Sequence, residues 1–188
     1  MTLRVLGGKF RGRPLQSPKG TQTRPTTSML RKAVFDILQP WIEDAHFLDL
    51  FAGSGAMALE ALSRGAKHAC IVENHRDALR CIKANLTSLQ LENQATVYPF
   101  DVFEAFKKLE KNREVFQIIY ADPPYHKKSI YTDLLSYFDS SSLLAPGGTL
   151  FLESLHPSPF EPIELQHLVL IDQRRFSTSL LHQYRYAR

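Results

Sequence analysis

Cysteine is scarce in this chain. Its two residues, Cys70 and Cys81, fit no metal-ligand spacing and demand no oxidising compartment. Cys70 falls in an expected strand and Cys81 on an expected helix, where both read as small core residues. No apolar run is long enough to cross a bilayer. The arginines near the N-terminus are followed by no apolar signal core, so the expectation is a cytoplasmic protein with no membrane partner. Internal repeats and low-complexity segments are missing too. At 188 residues, one domain with a small appendage is the prior. Apolar residues are not in short supply. At 44% hydrophobic against 22% charged, the composition supports a packed core.

Acid is also missing, but only locally. Residues 1–32 hold Arg4, Lys9, Arg11, Arg13, Lys19, Arg24, Arg31 and Lys32 and no carboxylate, a charge of +8. The whole chain carries +4, which leaves −4 for residues 33–188. A basic arm on a mildly acidic body fits a polyanionic partner, because clustered Lys and Arg displace counterions from phosphates. The same run could be a solvated arm that only aids solubility. Arg11 and Arg13 interleaved with Phe10, beside Lys9, suit contact with an RNA backbone and a stacked base.

The chain is organised around Asp49-Leu-Phe-Ala-Gly-Ser-Gly-Ala-Met-Ala-Leu-Glu-Ala-Leu62. It reads as the end of a buried strand, a glycine turn, then an apolar helix. Gly53 and Gly55 allow a sharp turn and a close ligand approach. The following helix would aim unpaired N–H groups into the turn. In open α/β sheets, nucleotides bind at such turns. Gly53 to Ala58 also fits the looser nicotinamide-dinucleotide fingerprint. Asp49 favours a different ligand: a carboxylate before the glycines accepts hydrogen bonds from an ammonium group, which suits an amino-acid-bearing cofactor. Glu73, about twenty residues past the glycines at the end of the next strand, stands where a carboxylate can hold both hydroxyls of a ribose.

Residues 3–15 read as a short hairpin with a turn at Gly7-Gly8. A loop over 17–27 leads to a helix reaching about Gln39, with Met29, Ala33, Val34, Ile37 and Leu38 as its buried stripe. From His46 onward strands and helices alternate. Strands are expected over 46–51, 68–73, 95–98, 116–121, 149–153, 168–171 and 180–186. Helices are expected over 76–91, 103–109 and 131–138, besides the one after the glycines. Pro146-Gly147-Gly148 reads as a turn into the fifth strand. The last two strands read as an antiparallel pair. The fold class is α/β: a mostly parallel sheet, covered on both faces, ending in an antiparallel hairpin.

Asp122-Pro-Pro-Tyr125 follows the fourth strand directly. The prolines cannot continue a ladder and hold the backbone stiffly. A carboxylate and carbonyls in fixed directions, beside the flat ring of Tyr125, suit the gripping of a planar group that bears an NH2. An aromatic amine is a poor nucleophile because its lone pair is delocalised. Acceptors on its two hydrogens localise that pair, and positioning against a methyl sulfonium supplies the rest.

On these residues the chain resembles class I S-adenosylmethionine-dependent methyltransferases. More narrowly it resembles the bacterial family that methylates the guanine exocyclic amine N2 in small-subunit (16S) ribosomal RNA. The matching stretches are Gly7-Gly-Lys-Phe-Arg-Gly-Arg13, Arg24-Pro-Thr26, Asp49-Leu-Phe-Ala-Gly-Ser-Gly55, Leu59-Glu-Ala-Leu-Ser-Arg-Gly-Ala66 and Asp122-Pro-Pro-Tyr125. The resemblance implies a Rossmann-like seven-stranded sheet, with a basic hairpin or arm over 1–26 and a methyltransferase domain over 27–188. It implies that Asp49, Ala52, Gly53, Ser54 and Gly55 cradle the methionine end of S-adenosylmethionine, and that Glu73 holds the ribose. Asp101 and the Val102 backbone would meet the adenine, with Asp122, Pro123 and Tyr125 presenting the amine. Lys9, Phe10, Arg11, Arg13 and Arg24 would meet ribosomal RNA, within an assembling 30S subunit or free of it. A monomer is expected, and no metal. Three positions depart from the family pattern: Lys32 where an acid is expected, Asn74 after Glu73, and Ser177 where glycine is expected.

Rival readings stay open. The amine could be an adenine in RNA or DNA, or the glutamine amide of a release factor, although those glutamine enzymes usually carry Asn in place of Asp122. A nicotinamide-dependent oxidoreductase would leave Asp122-Pro-Pro-Tyr125 without a role. A catalytically silent RNA-binding assembly factor would bind RNA and release no S-adenosylhomocysteine.

Overall fold

The computed structural model describes residues 2–18, 25–124 and 128–187. Arg24 and Tyr125 lie outside the described residues. In chain order the elements are α1 (Pro25–Leu38), β1 (His46–Leu50), α2 (Ala56–Ser63), β2 (His68–Val72), α3 (Arg76–Leu89), β3 (Ala95–Tyr98), α4 (Val102–Lys111), β4 (Phe116–Ala121), α5 (Ser129–Ser140), β5 (Leu144–Leu155), β6 (Leu168–Phe176) and β7 (Ser179–Tyr186). The sheet order is β3-β2-β1-β4-β5-β7-β6. The first five strands in that order are parallel neighbours, and β7 lies antiparallel between β5 and β6. This is the mostly parallel sheet with a terminal antiparallel hairpin that the residue pattern predicts, in the seven-stranded Rossmann-like form that the resemblance implies. Chain order reverses between β1 and β4, and at such a switch point the loops leaving the strand ends part to form a crevice.

Helices cover both faces, so the central strands are apolar on both sides. The period of two sorts them. Phe47, Ile118, Tyr120 and Phe151 pack with Leu30, Val34, Phe35 and Leu38 of α1 and with α2 and α3. Leu48, Leu50, Ile119, Ala121, Leu150 and Leu152 pack with α4 and α5. Each fully buried Leu, Ile, Val or Phe among them contributes about 1.5–3 kcal/mol. The alternation also puts two acids on the first face: Asp49, two residues past Phe47, and Glu153, two residues past Phe151.

Three expectations need correction. The buried stripe of α1 is rotated by one residue, about 100°. Met29 is 64% exposed, while Leu30, Arg31, Val34, Phe35 and Leu38 are buried. Apolar rows run along both faces of this helix, and Phe35, stacked on Phe47 at 6.1 Å, decides between them. Next, Pro146-Gly147-Gly148 lies inside β5. Phe116 pairs with Leu144 and Ile118 with Thr149, so the extra residues form a bulge rather than a turn before the strand. Last, β6 runs on to Phe176 through Asp172-Gln-Arg-Arg175, a polar stretch that an edge strand tolerates.

Ser177 joins β6 to β7 with φ 53°, the left-handed conformation that glycine adopts freely. That explains why glycine is expected there. Ser177→Gly should stabilise the protein by about 1 kcal/mol, read as a raised melting temperature. An unchanged or lowered melting temperature would show that the hairpin is not strained.

The N-terminal segment docks rather than dangles. Val5 N donates to Arg13 O (3.1 Å) and Leu15 N to Leu3 O (2.9 Å) on either side of one antiparallel bridge, Arg4 to Pro14, and the chain turns over residues 8–13 rather than at the expected Gly7-Gly8. Buried Glu60 on α2 accepts from Leu6 N at 2.7 Å and from Arg64 Nε at 2.8 Å. Lys9 N donates to Ser63 O (2.7 Å), and Phe10 N to Ser63 Oγ (3.0 Å). A Cβ on Gly8 would lie 1.9 Å from Ser63 O, so only glycine lets the arm approach α2 this closely. On α3, Asn85 accepts from Gln16 N (2.7 Å) and donates to Gln16 O (2.9 Å) and to Ser54 O (3.0 Å). One amide therefore ties the arm to the glycine turn.

Candidate active site

The turn after β1 is held from two sides. Buried Asp49 reaches under it, and its Oδ2 accepts from Ala58 N at 3.1 Å in the first turn of α2. Glu73, at the end of β2, reaches across: its Oε2 accepts from Gly53 N at 2.8 Å. Its Oε1 accepts from Asn74 N (2.8 Å) and His75 N (2.7 Å). Gly53 and Gly55 both have positive φ, 56° and 76°, the freedom that glycine allows a sharp turn. Phe51 also has positive φ, 61°. A bulky residue rarely adopts that conformation, and such strain gathers at ligand sites.

β4 delivers the second group. Its register sets Leu50 beside Ala121, so Asp122-Pro123-Pro124 emerges next to Phe51-Ala52-Gly53. Two cavities meet there. One, of about 310 Å³, is lined by Asp49, Phe51, Ala52, Gly53, Ser54, Tyr120, Asp122, Glu153 and Arg31, with Leu3, Ser17 and Pro18 from the arm. The other, of about 250 Å³, is lined by Phe51, Glu73, Asn74, Phe100, Asp101, Val102, Asp122 and Pro124. Phe51 and Asp122 are common to both. Asp101 caps α4, its Oδ1 accepting from Phe103 N at 3.0 Å. Together the two cavities collect Asp49, Ala52, Gly53, Ser54, Glu73, Asp101, Val102 and Asp122. Gly55 and Pro123 belong to the same two strand-end turns.

The site is acidic and buried beneath. Burial, above all, pushes the Asp49 carboxyl up to about 7; the Ala58 N–H works against this, and the Glu73 charge adds to it. Half-buried Asp122 is pushed well above the usual carboxylate range by desolvation first, then by the charges of Glu153 and Asp49. Tyr120 Oη donates to Glu153 Oε2 at 2.7 Å, and the phenol is raised by burial and by these same acids. A cation entering the first cavity would be stabilised by Asp49, Asp122 and Glu153, which all line it.

Tyr120, Glu153, Arg31, Phe51 and Asn85 do not stand out as site residues in the sequence. Glu153 carries a readable signal, an acid inside the apolar run Leu150-Phe-Leu-Glu-Ser154 of a central strand. Arg31 carries none, since an arginine in a basic helix reads as solvated.

Of the predicted RNA-binding residues, the described ones, Lys9, Phe10, Arg11 and Arg13, do not line this crevice. Lys9 and Arg11 are exposed on the arm. The Phe10 ring is half-buried against the first core, with Lys9 Nζ 5.3 Å from its centre. Arg13 is exposed, and its guanidinium donates to Ser88 O on α3 at 3.0 Å.

A family model described as Conserved hypothetical protein 95 matches residues 3–185. A candidate rRNA methyltransferase of Bacillus subtilis, YlbH, is 36% identical over 151 residues, covering 80% of this chain and 82% of that one. Ribosomal RNA small subunit methyltransferase D of Escherichia coli is 34% identical over 152 residues, covering 81% and 74%. Among solved structures, that of a candidate methyltransferase, yhhF, from Escherichia coli superposes with a TM-score of 0.85 at 30% identity, covering 99% of this chain and 98% of that one.

Proposed function

Because the chain belongs to the Conserved hypothetical protein 95 family, we propose that it transfers a methyl group from S-adenosylmethionine to the exocyclic N2 of a guanine in small-subunit ribosomal RNA. The observation that carries this reading is the adjacency of the two strand ends. Asp49 and the Gly53 turn leave β1, and Asp122-Pro-Pro leaves the neighbouring β4, into cavities that both touch Asp122.

The residues fit the cofactor. A buried carboxylate poised near neutrality suits an ammonium group, and Asp49 would hold it. Ala52 to Gly55 would cradle the rest of the amino-acid end. Glu73 would hold the ribose, and Asp101 with Val102 would meet the adenine in the second cavity. When bound, S-adenosylmethionine supplies an electrophilic methyl on a sulfonium.

The chain's own groups do the rest. Asp122 accepts the N–H groups of the amine, and Pro123 fixes the direction of the backbone around it. Tyr125, outside the described residues, would stack on the base. As nitrogen takes the methyl it must lose a proton. The Asp122 carboxylate, basic for an acid because of its burial first and the charges of Glu153 and Asp49 after it, is placed to take that proton.

The arm supplies the RNA contact in this reading, with Lys9, Phe10, Arg11, Arg13 and Arg24. Arg11→Ala should weaken RNA binding several-fold and lower the salt slope by about 1, measured as affinity against salt concentration. An unchanged slope would make the arm a structural element alone. We place the protein in the cytoplasm as a monomer, acting on ribosomal RNA free or within an assembling 30S subunit. Among the described residues no helix is long and apolar enough to cross a membrane, and no cluster of His, Cys, Asp and Glu could hold a metal ion.

The test is incubation with methyl-labelled S-adenosylmethionine and undermethylated small subunits, followed by nucleoside analysis. Labelled N2-methylguanosine is expected. Label on adenosine, or none on RNA, would overturn the assignment.

A further inference from the structure

Arg31 is a basic residue where helix α1 meets the sheet, yet it is only 4% exposed. Its Nη2 donates to a neutral acceptor, Arg4 O, at 2.7 Å. Its Nε is buried without a hydrogen-bond partner. Among the described residues no carboxylate pairs with it within 4.0 Å; the ion pairs found there lie elsewhere. A buried guanidinium with an orphaned N–H is costly, and native proteins rarely leave one. Burial lowers its pKa, with Glu60 and Tyr120 opposing that. The residue lines the same cavity as Asp49.

We propose that Arg31 binds the carboxylate of the amino-acid end of the cofactor, opposite the ammonium held by Asp49, and so links cofactor binding to docking of the N-terminal arm. This rests on the function proposed above. The ligand class follows from the pair of groups. Asp49 offers a buried negative charge and Arg31 a buried positive one, in one cavity and not bonded to each other. A zwitterionic α-amino acid satisfies both; a pyrophosphate would leave Asp49 facing like charge. The second half follows from Arg4 O. The guanidinium that would meet the ligand already holds the arm's backbone, and Leu3, Ser17 and Pro18 roof the cavity. Ordering Arg31 with a carboxylate therefore orders the arm that holds it.

The experiment is a titration calorimetry cycle with two ligands and two proteins. S-adenosylhomocysteine is compared with its decarboxylated analogue, which keeps the ammonium, on wild type and Arg31→Gln. Wild type should prefer the carboxylate ligand by about 100-fold, and Arg31→Gln should lose most of that preference. Hydrogen exchange at Val5, Gly12 and Leu15 of the arm should slow when S-adenosylhomocysteine binds wild type. Equal affinity of wild type for both ligands would overturn the proposal, as would an equal loss for both in Arg31→Gln. Should Arg31→Gln not fold, Arg31→Lys replaces it, with an intermediate preference expected and an unchanged one contradicting. If S-adenosylhomocysteine did not bind wild type at all, the proposed function itself would fail; binding without carboxylate preference would sink only the role of Arg31.

Discussion

Asp122→Ala should lower turnover about a thousand-fold or more while shifting the dissociation constant for S-adenosylhomocysteine less than about threefold. The split follows from where Asp122 sits. It ends β4, held by the two prolines, while the glycine turn that would hold the cofactor leaves β1. Removing the carboxylate takes away an acceptor for the amine hydrogens and the acceptor for the proton released on transfer. Asp49, the Gly53 turn and Glu73 keep their own hydrogen bonds. Asp122→Asn separates the two roles. Its carbonyl still accepts one N–H but cannot take a proton, so its rate should fall between those of wild type and Asp122→Ala. Because the Asp122 pKa is raised, the wild-type rate should climb with pH as the carboxylate ionises. Unchanged single-turnover rates in Asp122→Ala would refute the assignment.

The second large effect has two opposite signs. Asp49→Asn should stabilise the protein without cofactor at pH 8, yet raise the dissociation constant for S-adenosylhomocysteine about 100-fold. Asp49 is raised from 3.8 to about 7 in the folded protein. A carboxyl raised in this way binds its proton more tightly when folded. Its stabilising contribution is therefore complete below about pH 4 and is lost as pH rises through 7. A rise of that size corresponds to about 4 kcal/mol. Asparagine keeps an oxygen for the Ala58 N–H and has no charge to bury, so this pH dependence should vanish. Binding runs the other way. The ammonium of the ligand needs the ionised carboxylate, so wild-type affinity should rise between pH 5.5 and 8 and stay flat in Asp49→Asn. Thermal melts and calorimetry across that range check both halves. A variant that binds normally at pH 8 would contradict the role of Asp49.

Much of this site was legible because its frame is local. Glycines that permit positive φ, a carboxylate just before them, and prolines directly after an apolar run are signals within a few residues of one another. Alternating apolar runs fixed the sheet order's main feature, parallel strands with a terminal pair. The residues that escaped depend on contacts distant in sequence. Arg31 is buried because α1 packs through Phe35 on Phe47, which rotates the helix face toward the cavity. Glu60 looks like a surface acid of α2, but it accepts from Leu6 N, 54 residues away. Asn85 looks like an ordinary helix residue until Gln16 and Ser54 converge on it. Residues 7–13, read as an RNA motif for their charge, also need their glycine to fit against Ser63. A single stretch there serves docking and, in the proposed reading, recognition.

A crystal structure of the chain with S-adenosylhomocysteine bound tests the central claim most directly. The predicted result is ligand filling both cavities, its amino-acid end at Asp49 and its ribose at Glu73, with Asp122 left open to the solvent side. Ligand bound elsewhere, or a crevice closed by side chains between Phe51 and Asp122, would contradict it.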